Sequence, residues 1–303
     1  MPEVNQYQPL KNWGMLVVLA LIWGSSFILI KKALVIFSAG EVGALRIVTA
    51  GTVLLPLAMP VLKHLSSRQM GYLLVIGFVG SFIPAFLFAT AQTNLSSSLA
   101  GVINALTPLM VVLVGALFFQ AKITWRIFLG LAIAFLGVGI LVLAGSERGF
   151  SFFSDFNLYG LFVVGATLCY GLNVNIIKYR VREISPRTIT AISLMMVLPL
   201  AAIYLLAFTQ FSFKLLHVEG AWTAAGYVSL LGIIGTAAAL VLFNAMVKLV
   251  TPVFASSVTY LVPLVAIFWG VWDGEKLFPL HYLGILAVII GVWIGNRKSR
   301  VSK

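Results

Sequence analysis

The sequence predicts an all-α integral membrane protein with ten transmembrane helices arranged as two inverted five-helix repeats. Composition, the spacing of apolar segments and the similarity of the two halves predict it. Of 303 residues, 61% are hydrophobic and 9% charged, with a mean hydropathy of +1.08. About a quarter of a soluble globular protein is charged, so this chain has too few charges to cover a water-exposed surface. Apolar runs of about 20 residues, the length that crosses the hydrocarbon core, recur about every 30 residues, which leaves no length for a separate soluble domain.

Polar breaks divide the chain into ten predicted spans. They cover residues 13–33, 39–62, 70–91, 97–119, 125–144, 157–178, 187–209, 221–245, 252–272 and 280–296. The clearest helix starts are Ser185-Pro186 before span seven and Thr251-Pro252 before span nine. A capping hydroxyl followed by proline is typical of a helix N-terminus. The apolar run after Trp13 is not followed by a signal-peptidase site, so it is interpreted as span one.

The distribution of basic residues predicts the orientation. With a cytoplasmic N-terminus, 14 of the 20 Lys and Arg residues fall in inner loops and tails, five fall in outer loops, and Arg46 lies within span two. Positive charge accumulates on the cytoplasmic side, so both termini are expected in the cytoplasm. The net charge of +12 therefore reports orientation, and a nucleic-acid partner is rejected. The single cysteine, Cys169, excludes an intramolecular disulfide.

The two halves resemble each other. Residues 23–31 match residues 170–178 at an offset of 147, and residues 71–115 match residues 226–270 at an offset of 155. The repeats are predicted to cover residues 1–147 and 148–303. Because five spans is an odd number, the second copy enters the membrane from the opposite side. Inverted repeats of this kind are typical of secondary transporters, in which the two copies exchange conformations around a central site.

The chain resembles the EamA-type families of the drug/metabolite transporter superfamily over nearly its whole length. The residues that carry the resemblance are Trp23-Gly24-Ser25-Ser26-Phe27, Arg46, residues 104–109, residues 260–264 and Gly274-Glu275. The resemblance implies ten helices, a central cavity between the repeats, and export or exchange of small metabolites or amino acids. The first half departs from the pattern where Phe119-Gln120-Ala121 replaces a Gly-Glu end of span four, so a symmetric pair of glutamates is not expected.

Polar side chains deep in spans mark the predicted cavity, because an unpaired polar group in hydrocarbon is costly. Prolines in spans four and nine release the carbonyls of Asn104 and Thr259, which lie at equivalent positions. Helix packing is the competing interpretation for the small polar residues and for either proline alone. The predicted substrate-binding residues are Trp23, Ser26, Thr90, Asn104, Pro108, Tyr170, Asn173, Thr259, Tyr260 and Pro263.

Glu41 and Arg46 are the predicted gate or structural charges. Arg46 either attracts an anionic group of the substrate or pairs with Glu41 or another outer acid as a structural tie or gate; the structural role is favoured. No Asp or Glu lies near the middle of a predicted span, and the three histidines lie in or beside loops. Proton coupling through a deep carboxylate or histidine is therefore disfavoured, while coupling at Glu41 or Glu275 remains open.

The predicted function is a secondary transporter or facilitator that moves a small neutral or zwitterionic metabolite by alternating access. Amino acids are the leading class and export is the favoured direction. Arg46 alone cannot neutralise a phosphate dianion, which disfavours sugar phosphates. An intramembrane enzyme lacks the necessary catalytic pair, whereas a channel or a lipid flippase or scramblase stays an alternative. The expected partners are a small-molecule substrate and the lipid bilayer of a bacterial inner membrane. No cofactor or metal is expected, and the choice between monomer and homodimer stays open.

Overall fold

A computed structural model of the chain describes residues 9–120, 125–143, 158–250, 255 and 257–296. The described residues form helices and connecting turns and contain no β-strand, which confirms the predicted all-α class. Seven helical segments are long and apolar enough to cross a bilayer, and three shorter apolar helices complete a set of ten in these residues. In chain order, spans one to ten are Asn12–Leu34, Ala39–His64, Ser67–Ala91, Ser97–Phe119, Trp125–Leu141, Tyr159–Arg180, Pro186–Ala207, Ala221–Leu249, Val258–Trp272 and Pro279–Ile294.

Serine caps begin four of these spans. Ser38, Ser66, Ser96 and Ser185 each accept a hydrogen bond from the backbone N–H three residues later, which satisfies one of the free donors at a helix start. The predicted start of span seven at Ser185-Pro186 is confirmed. The predicted start of span nine at Thr251-Pro252 lies outside the described residues, as does the predicted repeat boundary at 147/148.

Irregular segments interrupt the spans at matching positions in the two halves. Span three contains a π-helical turn at Phe78–Phe82, and span eight contains one at Leu231–Ala238, which overlap when the sequence is shifted by 155 residues. Span four breaks between the helices Ser97–Asn104 and Thr107–Phe119, and in span nine the 3-10 turn Ser257–Tyr260 precedes the helix Val262–Trp272. Such interruptions inside membranes are typical of substrate-binding regions.

The halves interlock through equivalent contacts, as an inverted repeat requires. Gly77 in span three lies against the backbone of Ser193 in span seven, and Gly232 in span eight lies against the backbone of Arg46 in span two. Gly77 and Gly232 are equivalent at the offset of 155, and Arg46 and Ser193 are equivalent at the offset of 147, so the two contacts correspond. A side chain at either glycine would overlap the neighbouring carbonyl, so glycine permits the close approach. Spans five and ten pack against each other along their length.

The outer surface of the helix bundle is apolar. Large hydrophobic side chains such as Leu136, Leu206, Phe268 and Trp293 are more than half exposed on different spans. A surface of this kind is far more apolar than that of a soluble monomer, and it matches the lipid interior of a membrane. Polar side chains such as Asn104, Asn173 and Thr236 are instead buried between the spans.

Candidate functional site

A cavity of about 70 Å³ lies inside the bundle between the two halves. Seven spans line it: one, two, three, four, six, eight and nine. The lining residues are Trp23, Ser26, Phe27, Ile30, Arg46, Gly80, Ser81, Phe88, Asn104, Thr107, Tyr170, Asn173, Val174, Gly235, Thr236, Leu240, Phe243 and Thr259. At about 10–15 Å³ per water on this scale, the cavity has room for a solute of only a few heavy atoms.

The cavity walls repeat across the two halves. Ser26 of span one faces Gly235 of span eight, and its repeat equivalent Asn173 of span six faces Gly80 of span three. Because glycine has no side chain, both faces leave the polar group of the facing residue at the cavity surface. The two halves therefore contribute equivalent positions that carry different side chains, a hydroxyl in one and an amide in the other.

Two aromatic pairs form apolar walls in the same symmetric way. Trp23 packs on Phe243 with ring centroids 5.1 Å apart, and the equivalent Tyr170 packs on Phe88 at 6.0 Å. All four rings line the cavity. Aromatic faces of this kind can enclose the apolar part of a small solute while nearby polar groups fix its orientation.

The π-helical turn of span eight supplies a backbone acceptor to this wall. The N–H of Ala239 donates to the carbonyl of Ile234, five residues earlier. In a regular α-helix this N–H would donate to the carbonyl of Gly235, four residues earlier, so the π-helical turn does not give the Gly235 carbonyl its regular partner. The indole Nε1–H of Trp23 donates to the Gly235 carbonyl at 3.0 Å. The irregular turn thereby links span one of the first half to span eight of the second.

Arg46 is the one charged side chain among the lining residues that the structure describes. Its Nε–H donates to the hydroxyl of Thr236 on the π-helical turn at 2.7 Å, and its guanidinium lies beside the side chain of Tyr170. It forms no ion pair with any described residue. The suggested tie to Glu41 is not present, because Glu41 pairs with Lys214 at 2.7 Å and also accepts the backbone N–H of Ser38 in a helix cap.

The carbonyl that is left free at the break in span four finds a hydrogen-bond donor within the same span. The hydroxyl of Thr107 donates to the carbonyl of Asn104 at 2.7 Å, which is the carbonyl that Pro108 releases. A neighbouring hydroxyl therefore satisfies this carbonyl, and the Asn104 side chain remains on the cavity wall together with its equivalent Thr259. Pro108 and Pro263 are buried in the first turn of the following helices and do not line the cavity.

Two further predicted binding residues lie away from the cavity lining. Thr90 is near the end of span three, where its carbonyl accepts the hydroxyl of Thr93. Tyr260 is largely buried, and its hydroxyl has no hydrogen-bond partner in the described chain. Sequence depth within a span does not reveal which way a side chain points, so these positions were indistinguishable from true lining positions.

Other polar residues of the spans serve helix packing. The Asn175 amide donates to the carbonyls of Val111 and Gly171 at 2.9 and 2.8 Å, and Ser25 accepts the indole N–H of Trp269 at 2.9 Å. The packing interpretation therefore fits Ser25, whereas Ser26 lines the cavity.

Several lining residues escaped the sequence prediction, notably Gly80, Ser81, Gly235 and Thr236. The repeat comparison contained a signal for them, since Gly80 and Gly235 occupy matching positions in the two halves. Glycine has no side chain that suggests binding, and no sequence signal marked the π-helical turns that bring these residues to the cavity.

An ionic cluster joins three segments at one end of the bundle, and we call it the Glu275 cluster. Its members are Lys31, Lys32, Ser97, Ser98, Asp273 and Glu275. Lys31 lies 2.8 Å from the Asp273 carboxylate and 2.9 Å from that of Glu275. The cluster joins the end of span one, the start of span four and the turn after span nine.

Glu275 holds this cluster together. Its two oxygens accept the backbone N–H and the hydroxyl of both Ser97 and Ser98, at 2.6–3.1 Å. Burial would raise the pKa of Glu275, but the hydrogen bonds from both serines and from Lys31 outweigh it and hold the pKa below the usual range. The equivalent position in the first half is Gln120, which has no carboxylate to form the same ion pair.

The fold and the cavity define a class: a polytopic membrane transporter with a central site between two inverted repeats. The model of the EamA-like transporter family matches residues 12–143 and again residues 157–297. The chain therefore belongs to this family, and the resemblance noted in the sequence is confirmed. Membership implies transport of a small molecule across a lipid bilayer, and transport rather than catalysis is the activity of the family.

Individual relatives agree with this class. The chain is 23% identical over 286 residues to a "Probable terminal-alkyne amino-acid exporter" of Streptantibioticus cattleyicolor, covering 94% of this chain and 93% of that one. It is 24% identical over 295 residues to the "Uncharacterized inner membrane transporter YedA" of Escherichia coli K12, covering 94% and 90%. An uncharacterized transporter of Archaeoglobus fulgidus is 25% identical over 183 residues, which cover 60% of this chain and 63% of that protein. A solved structure superposes with a TM-score of 0.64 at 16% identity over 94% of this chain and 96% of that one, which supports the fold.

Proposed function

We propose that the protein is a secondary carrier that moves a small neutral or zwitterionic metabolite, with amino acids as the leading class. The observation that carries this proposal is the cavity, because equivalent residues of both halves line it and interrupted helices surround it. In an inverted repeat, the two halves can exchange conformations and expose such a site first to one side and then to the other.

The lining chemistry favours this substrate class. Amides and hydroxyls of Asn104, Asn173, Thr107 and Ser81 offer neutral hydrogen bonds, and four aromatic rings enclose apolar groups. Arg46 alone provides one positive charge, too little for a phosphate dianion, and a solute with net positive charge would be repelled. The small volume favours a solute of the size of a small amino acid.

Export from the cytoplasm of a bacterium is the direction that we propose. The excess of Lys and Arg in the predicted inner loops supports cytoplasmic termini. One relative is described as an amino-acid exporter and another as an inner membrane transporter, which supports the direction and the location. In this orientation the Glu275 cluster faces the outside of the cell, and we expect it to hold the outer entrance of the cavity closed.

Counterflow into proteoliposomes tests the carrier function. Purified protein is reconstituted, and uptake of radiolabelled amino acids and other metabolites is measured with and without unlabelled solute inside. We expect saturable uptake that internal solute stimulates, because a carrier exchanges solutes at one site. Saturable uptake without stimulation, or uptake linear in concentration, would instead support a channel, and movement of labelled lipids would support a scramblase.

A matched pair of variants connects transport to the cavity. In Gly235→Leu, the new side chain fills the cavity beside Ser26, and we expect transport to be lost. In Gly226→Leu, the same change falls on the exposed side of the same span, with no atom within 4 Å of the added Cβ. That variant should transport normally. Equal transport by both variants would contradict the placement of the site.

A further inference from the structure

Arg46 is a buried cation without a counter-ion. Its residue is 9% exposed, and no described acidic side chain pairs with it. A guanidinium has five N–H donors in a planar fork that matches a carboxylate. Nε–H donates to Thr236, and the guanidinium also forms a hydrogen bond with the Tyr170 side chain, so both described partners are neutral groups. A charge in the interior of a membrane protein is costly unless an opposite charge or several hydrogen bonds compensate it. An anionic group in the cavity would provide that compensation.

Asn173 is a second residue of the same cavity whose hydrogen-bonding groups are not all satisfied. It is 4% exposed, and its amide oxygen has no hydrogen-bond partner. The equivalent Ser26 differs, because its hydroxyl donates to the carbonyl of Ile22 at 3.0 Å. A buried acceptor without a donor costs free energy that a ligand N–H would recover. Arg46 and Asn173 thus present the two complementary halves of a zwitterion site: a donor fork and a free acceptor.

We propose that Arg46 binds the carboxylate of the substrate and that Asn173 accepts an N–H from its amino group. This inference rests on the proposed carrier function and narrows it to α-amino acids with a free carboxylate and a small uncharged side chain. The side chain would lie between the Trp23–Phe243 and Tyr170–Phe88 pairs. Diamines and esters or amides of amino acids would be excluded, because they leave Arg46 without an anion.

Binding to matched analogues tests the inference without any mutation. The melting temperature of the purified full-length protein in detergent is measured against increasing L-alanine, L-alaninamide, propionate and ethylamine, and against the corresponding series from L-valine. We expect the amino acid to stabilise most, the carboxylic acid less, and the amide and amine not at all. Equal stabilisation by amide and amino acid, or no stabilisation by any carboxylate, would overturn the inference.

Variants assign the effect to the two residues. Arg46→Gln should weaken amino-acid binding about 10- to 100-fold, the range for a lost hydrogen bond to a charged group, and Asn173→Ala about 2- to 10-fold. Arg46→Lys keeps the charge but loses the fork, so we expect an intermediate loss. Arg187→Gln makes the same change at an exposed position outside the cavity and should bind like the wild type. If Arg46→Gln does not fold, Arg46→Lys and the analogue series decide.

The outcomes separate this inference from the carrier function. Arg46-dependent binding of alanine or valine without counterflow would support the site and contradict the carrier. Counterflow of solutes that lack a carboxylate, at equal rates in the wild type and in Arg46→Gln, would support the carrier and overturn the role of Arg46.

Discussion

We expect the Glu275 cluster to hold the cavity closed at its end of the bundle, so replacing Glu275 by glutamine should open that end. The carboxylate accepts four hydrogen bonds from two serines and pairs with Lys31. Glutamine keeps one acceptor oxygen, so it can hold two of the four, and its NH₂ can regain one by donating to a serine hydroxyl that reverses. At about 1.5–3 kcal/mol for each bond to a charged group, the net loss of one bond should destabilise the closed state by about 1.5–3 kcal/mol.

That loss corresponds to a shift of about 10- to 150-fold in the ratio of open to closed protein. The assay uses Ser26→Cys as a reporter inside the cavity, in a Cys169→Ser background, because the natural chain has one cysteine. A membrane-impermeant maleimide is added from the side that carries Glu275. We expect labelling of the Glu275→Gln protein to be faster by up to this factor.

Glu219→Gln is the matched control, because Glu219 is an exposed acid on the same predicted side and outside the cluster. It should label at the rate of the parent protein. Equal labelling rates in Glu275→Gln and Glu219→Gln, with both proteins folded, would refute the view that the cluster holds this entrance closed.

Three further predictions follow from individual contacts. Trp23→Phe keeps an aromatic ring beside Phe243 but removes the donor to the Gly235 carbonyl, so counterflow should fall while the protein stays folded, as size-exclusion chromatography would show. Asn175→Ala removes two buried hydrogen bonds, one to span four and one within its own helix, and should lower the free energy of unfolding by about 1 kcal/mol. The measurement is a lower melting temperature with an unchanged affinity for substrate. The pKa of Glu275 is held below its usual range, so the cluster is stable above that range and is lost as pH falls through the lowered pKa. The thiolate fraction of the Ser26→Cys reporter falls with pH in every variant, so the measured quantity is the labelling rate of the parent protein divided by that of Glu275→Gln at the same pH. We expect this ratio to rise at acidic pH, and a ratio that stays constant would contradict the role of the Glu275 carboxylate.

The sequence alone predicted the class of fold, because that class depends on the average composition of the chain and on the spacing of its apolar runs. Runs of apolar residues with so few charges can only be spans, and helix caps such as Ser185 are local features that a short segment specifies. The repeat offsets also placed Asn104 opposite Thr259 and Trp23 opposite Tyr170, and these four residues all line the cavity. Their role in binding stays a prediction.

Tertiary structure decided which polar groups meet. Thr90 and Tyr260 are not among the residues that line the cavity, whereas Ser81 is. A helix in lipid gives little sequence signal of its rotation about its own axis. The π-helical turn of span eight presents Thr236 to Arg46, whereas Glu41 pairs with Lys214 of the short helix Phe211–His217. Contacts between residues about 170 to 190 positions apart depend on how the spans pack. The sequence therefore shows which polar groups are available, and only the packing of the spans determines which of them bond to each other.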